Sequence, residues 1–213
     1  MTQNKFPVIG VTGITGSGAS TVAGFLEEFG GKVISADRLA HEAQKKGQPA
    51  YDGIVALFGG EILQEDGEIN RKALGKIVFG DKSKLKQLEE IVHPVVVRHI
   101  KNLVDKCDKT FAVIDAPLLI ESGLYTGCDE VWLVCTAHEE RLARIMKRDG
   151  IDMTAAQMRL ESRLSDNELA KKADFILYNQ NDLTVLKEKV YRRIKMGKPK
   201  TGRDFREKDA GSC

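Results

Sequence analysis

No apolar run in this 213-residue sequence approaches the ~18 residues that a membrane-spanning helix needs. No secretory pattern opens it either, so no membrane partner is expected and a cytoplasmic setting is. Cysteine is scarce. The four, Cys107, Cys128, Cys135 and Cys213, show no paired spacing of a metal site. Cys135 sits inside an apolar run and reads as a buried small hydrophobe. Charge of one sign is lacking too: 33 basic against 31 acidic residues leave a net charge of +2, which argues against a general nucleic-acid binder. An anionic small molecule needs only a local basic patch. What is present, 42% hydrophobic and 30% charged residues, suits one α/β domain with insertions.

The most informative lack is a single lysine. Val8–Val11 is an apolar β-branched run that leads into Gly13-Ile14-Thr15-Gly16-Ser17-Gly18-Ala19-Ser20-Thr21, after which a helical pattern begins. This is the frame G-x-x-x-x-G-K-[ST] of a phosphate-binding loop between a buried strand and a helix. Gly13 and Gly18 hold the required spacing, and Ser20 stands where a magnesium-binding hydroxyl belongs. Glycines let backbone N–H groups turn inward around phosphate oxygens, and the helix adds the positive end of its dipole. The lysine that reaches the β- and γ-phosphates in such loops is Ala19 here. Taken alone, the stretch also fits an ordinary strand-to-helix turn.

The remaining chain alternates strand and helix. Phe6–Val11 predicts the first strand. Val22, Ala23, Leu26 and Phe29 make one stripe of a helix that stops at Gly30-Gly31. Lys32–Ser35 is a second strand, and Asp37 follows it. Asp37 is either the N-cap of the next helix or a catalytic carboxylate at the sheet edge where open α/β sheets bind ligands. From Ala50 to Lys106 the pattern is mostly helical, with a tight turn at Asp66-Gly67 and a capping Asn70. His93-Pro94 predicts an interruption, Pro94 opening a new helix. This block is either a substrate-binding insertion or scaffold, and His93 either a structural hydrogen-bonder or a functional group.

Phe111–Asp115 is another buried strand, ending in a carboxylate that suits Mg²⁺ as well as a simple turn. Glu130–Cys135 is a further strand. Arg141, Arg144, Lys147 and Arg148, then Arg159 and Arg163, follow on a helical pattern. Their spacing puts Arg141, Arg144 and Arg148 on one face, which is either solvated or part of a lid closing on phosphate. Ser165 and Glu168 carry a capping-box signature. Asp174–Tyr178 is the last strand, followed by Asn179 and a helix over about 182–195. Residues 197–213 are polar and read as a mobile tail.

In this order the segments VIGVTGITGSGAST, VISAD, NRKAL through Phe79, LEEIVHP, DAPLLIE, RIMKRD and ADFILYN resemble the dephospho-coenzyme A kinase family, over about Val8 to Lys195. The resemblance implies an α/β P-loop kinase-like, three-layer fold with a five-stranded parallel sheet. It implies a nucleotide-binding core at 1–47, 107–137 and 174–196, a helical coenzyme A-binding domain at 48–106 and a lid at 138–173. The implied reaction moves the γ-phosphoryl group of ATP, with Mg²⁺, onto the ribose 3′-hydroxyl of dephospho-coenzyme A. Asp37, Arg144 and Arg148 would be catalytic. Gly13, Gly16, Ser17, Gly18, Ala19, Ser20, Thr21 and Asn179 would bind ATP, with Asn179 on the adenine side. Arg71 and His93 would bind substrate, and Ser20 with Asp115 would hold the metal. ATP and dephospho-coenzyme A are the expected partners of a monomer or small homo-oligomer. Ala19 departs from the family pattern. Losing such a cation can cost roughly 3–4 kcal/mol of transition-state stabilisation. A chain that binds nucleotide with weak turnover, or another small-molecule kinase, is the alternative.

Overall fold

The structure is a computed structural model that describes residues 7–161, 165–180 and 182–196. The expectations placed on Phe6, Arg163 and residues 197–213 fall outside the described residues. No helix among the described residues is long and apolar enough to cross a membrane.

Two compact units divide the chain. Among the described residues, one holds those up to Ile34 and from Leu103 onward, the other Ser35–Asn102. The first is built on a five-stranded, all-parallel sheet. Its strands are β1 (Val8–Thr12), β2 (Gly31–Ser35), β3 (Phe111–Asp115), β4 (Glu130–Cys135) and β5 (Phe175–Tyr178). Their order is β2-β3-β1-β4-β5, so β1 lies at the centre. Val11 pairs with Asp115 of β3 and with Trp132 of β4, while Cys135 pairs with Tyr178 of β5. Every residue of β1 and β4 is buried, as expected of strands covered on both faces.

Strand alternation sends successive side chains to opposite faces. Ile9, Val11, Trp132 and Val134 meet Val22, Ala23 and Leu26 of α1 (Ala19–Glu28), with Leu186 and Val190 of α9 (Leu183–Met196). Leu133 and Cys135 face the other way. They meet Leu142 and Ile145 of α6 (His138–Asp149), Ala156 and Leu160 of α7 (Met153–Glu161) and Leu169 of α8 (Asp166–Ala170). The result is a three-layer unit with helices on both faces of the sheet. Trp132 is fully buried and meets the Phe175 ring edge-on at 5.0 Å between centroids.

The second unit is helical: α2 (Ala36–Ala43), α3 (Tyr51–Phe58), α4 (Arg71–Phe79) and most of α5 (Lys82–Asp105). Asn70 caps α4 by accepting from the N–H groups of Lys72 and Ala73. The Asp66-Gly67 turn lies in a small antiparallel bridge between Leu63 and Ile69. The interruption predicted at His93-Pro94 does not occur, because α5 runs unbroken through Pro94. The reason is burial on both sides of it. Val92, Val95, Val96 and Ile100 are buried, whereas Pro94 is exposed, so water can satisfy the carbonyl that its missing N–H leaves.

Candidate active site

The first unit concentrates polar groups where β1, β3, β4 and β5 end. Between β1 and α1 the chain must turn within Gly13–Gly18. Gly16 and Gly18 take φ of +86° and +95°, which residues with a Cβ rarely adopt. Gly13 is required for a different reason, since a Cβ there would stand 2.6 Å from the Val134 carbonyl oxygen. A Cβ on Gly18 would meet Asn179 Nδ2 at 2.5 Å. The loop is therefore pressed against the ends of β4 and β5 and against α6.

Three side chains hold its outer carbonyls. Thr136 Oγ1 donates to the Ser17 carbonyl at 2.9 Å, Asn179 Nδ2 to the same oxygen at 2.8 Å, and Arg144 Nη1 to the Gly16 carbonyl at 2.8 Å. The Ser17 N–H closes the loop on the Ile14 carbonyl at 2.9 Å, and the first turn of α1 starts with no side-chain cap on its N–H groups. No side chain caps α1, and no acidic residue stands in its first turn. An uncapped helix start of this kind favours phosphate through both its free N–H groups and its dipole. Ser17 Oγ is buried and makes no hydrogen bond.

Asp115 ends β3 beside Val11 of β1 and is half-buried; Ser20 is exposed on the first turn of α1. A hydroxyl and a carboxylate are the hard oxygen donors that Mg²⁺ accepts, so the donor chemistry fits. Among the described residues no cluster of three or more His, Cys, Asp or Glu could hold a metal unaided.

The arginines of α6, which their spacing puts on one helix face, stand in three different environments. Arg141 is only 7% exposed, and its Nη1 meets Asp166 Oδ2 at 2.8 Å. Arg144 is on the loop. Arg148 is exposed and forks onto Asp149, with 2.8 and 3.0 Å contacts that hold its guanidinium still more firmly charged. Asn179, expected on the adenine side, spends its amide on the loop, yet it also lines a pocket of about 400 Å³. Cys135, Thr136, Glu140, Asp166 and Gln180 line the same pocket. Burial pushes the Cys135 thiol up to about 11, so it stays protonated, in keeping with its apolar setting.

In the second unit Asp37 is not the cap of α2. Ser35 is, accepting from the Arg38 N–H, and Asp37 sits exposed in the first turn. One helical turn on, His41 accepts a hydrogen bond from Arg71. Burial, then the Arg71 charge, hold His41 below its ordinary 6.5, partly offset by Asp37 and Glu42. His93 is half-buried on α5. Sequence reasoning missed His41 and Thr136. His41 was legible as the i+4 neighbour of Asp37, and Thr136 as the first polar residue after six buried strand positions.

Comparison with known proteins gives these groups a context. A family model described as dephospho-CoA kinase matches residues 7–184. The dephospho-CoA kinase of Shouchella clausii is 41% identical over 189 residues, covering 87% of this chain and 94% of the relative. A solved dephospho-CoA kinase from Campylobacter jejuni is 32% identical with a TM-score of 0.57, covering 89% of this chain and 96% of that one. A shikimate kinase from Acinetobacter baumannii, at 15% identity and a TM-score of 0.58 over 92% and 97% of the two chains, shares the fold alone. The family match runs from β1 through the loop, Asp37, Asp115 and Asn179 into α9, and on that span the chain belongs to the dephospho-CoA kinase family.

Proposed function

We propose that this chain transfers the γ-phosphoryl group of ATP to the ribose 3′-hydroxyl of dephospho-coenzyme A, giving coenzyme A and ADP. The observation that carries the ATP side is the loop itself: its outer carbonyls are held by Thr136, Asn179 and Arg144, and its N–H groups lead into an uncapped helix. The acceptor side is carried by the kinship with dephospho-CoA kinases.

In this reading the N–H groups of Gly16 and of Gly18 to Thr21 cradle the phosphates, with Ser17 shaping the loop between them. The adenine enters the pocket lined by Asn179 and Gln180. Asp37 takes the proton of the acceptor hydroxyl as its oxygen bonds to the γ-phosphorus, and ADP leaves with the bridging oxygen. Arg71 and His93 hold the anionic acceptor, and Arg148, released from Asp149, joins the phosphates. Ser20 and Asp115 would hold Mg²⁺, which neutralises charge on the phosphate oxygens. Positioning and charge are what this chemistry demands, and the loop supports both.

The test is coenzyme A and ADP formation from ATP and dephospho-coenzyme A, against a panel of nucleosides and nucleotides. Stoichiometric coenzyme A and ADP with dephospho-coenzyme A alone supports the reading. Preference for another acceptor overturns the substrate, and ATP binding without any product at high enzyme concentration overturns the turnover.

A further inference from the structure

We propose that Arg144 supplies the cation that Ala19 removes from the phosphate loop. The inference rests on the ATP-binding reading above and asks which residue makes it workable in this chain. The frame of the loop leaves position 19 without charge, and Ala19 packs half-buried against the core on the α1 side of the sheet. A phosphate cradle built of N–H dipoles alone lacks a full positive charge. Such a charge matters most as negative charge shifts onto the leaving oxygen.

The basic residues of α6 are the candidates, and their environments separate them. Arg141 is buried and pairs with Asp166. Arg148 is exposed and forks onto Asp149. Lys147 is exposed. Arg144 lies on the loop: Nη1 is 2.8 Å from the Gly16 carbonyl and 3.4 Å from that of Ser17. It also lies 3.8 Å from where a Cβ on Gly18 would stand, one residue before Ala19. Its charge therefore sits against Gly16, Ser17 and Gly18, the residues that lead the loop into α1. Glu140 lies 3.7 Å from its Nη2, on a pair that is partly solvent-exposed. A guanidinium offers a planar fork to phosphate oxygens. The helix that carries it also carries Arg141, whose main chain would lie 3.0 Å from a Cβ on Gly16. The charge is thus fixed to the loop by backbone packing as well as by its own hydrogen bonds.

The test is a double-mutant cycle read by ATP affinity and by kcat. Arg144→Gln removes the charge and shortens the side chain, so its unfolding is measured beside its ATP affinity. It should weaken ATP binding and lower kcat, each about tenfold or more, while adenosine, which has no phosphate, binds as it does to the wild type. Ala19→Lys should then recover most of both losses in the Arg144→Gln background, by a factor at least ten times larger than its effect in the wild type. Equal factors in the two backgrounds would overturn the proposal, and so would wild-type ATP affinity and kcat in Arg144→Gln. Thermal unfolding of each variant separates a loosened loop from a lost charge: a variant that loses adenosine affinity and stability together counts against it. The ATP affinities need no acceptor. If no variant makes coenzyme A, the proposed reaction fails while the cycle still decides for or against Arg144.

Discussion

Arg141 Nη1 and Asp166 Oδ2 stand 2.8 Å apart, and this pair ties α6 to α8. The two ends differ in burial: the arginine side chain is 9% exposed, the aspartate 33%. Removing the aspartate strands the more buried charge, so Asp166→Ala should cost more than Arg141→Met, which leaves a carboxylate that water can reach. Losses of about 3 and about 1.5 kcal/mol are expected. Denaturant unfolding of both variants checks the order, and equal or reversed losses would mean that the pair is screened like a surface one.

His41 gives the second unit a pH response. Its folded value lies below 6.5, chiefly because burial and then the Arg71 charge disfavour the imidazolium. A depressed histidine binds its proton less readily in the folded than in the unfolded chain. Its contribution to stability is therefore fully present above pH 6.5, falls as pH drops from 6.5 to the folded value, and is level below that. His41→Gln should flatten this part of the stability profile. Arg71→Ala should raise the His41 midpoint seen by NMR, short of 6.5, since burial remains. A midpoint that does not move would detach His41 from Arg71.

The strands and the loop were legible because their signals are local. Apolar β-branched runs closed by Gly13, Asp37, Asp115 and Asn179 mark buried parallel strands and their carboxyl ends without knowledge of partners. The capping box at Ser165–Glu168 was legible for the same reason and is present. What was not legible depends on neighbours distant in sequence. Helical spacing puts Arg141, Arg144 and Arg148 on one face of α6, but only the fold shows that Arg141 is buried on Asp166, Arg144 held on the loop and Arg148 exposed against Asp149. Asp37 reads equally as a cap and as a catalytic carboxylate, because no local rule ranks it as a cap against Ser35 two residues earlier.

Pro94 shows the cost of a helix that continues where its sequence says stop. It sits inside α5 on the exposed side, between buried Val92 and Val95. Pro94→Ala would restore an N–H for the carbonyl one turn back and relieve ring crowding there. Stabilisation of about 1–2 kcal/mol is expected by denaturant unfolding. The gain falls short of the full helix-interior penalty because the exposed carbonyl is already hydrated, and because the substitution frees the unfolded chain. A destabilised Pro94→Ala would mean that α5 depends on the proline's rigidity.

Asp37 carries the most exposed part of the functional reading. It follows β2 directly and stands in the first turn of α2, where a carboxylate also favours the helix dipole by about 0.3–1 kcal/mol. The structural and chemical roles predict different losses. Asp37→Asn removes the charge and the proton acceptor while keeping the shape. If Asp37 accepts the acceptor's proton, kcat should fall ~10²-fold or more, ATP affinity should stay within about twofold and stability should drop by under 1 kcal/mol. Ser35→Ala is the control for the helix start. It loses the capping oxygen that holds the Arg38 N–H, costing about 1 kcal/mol of stability. Its kcat should nonetheless stay far above that of Asp37→Asn. Coenzyme A formation under saturating ATP, measured alongside unfolding for both variants, separates the two roles. If Asp37→Asn turns over like Ser35→Ala, Asp37 only steadies the start of α2 and the proton acceptor lies elsewhere.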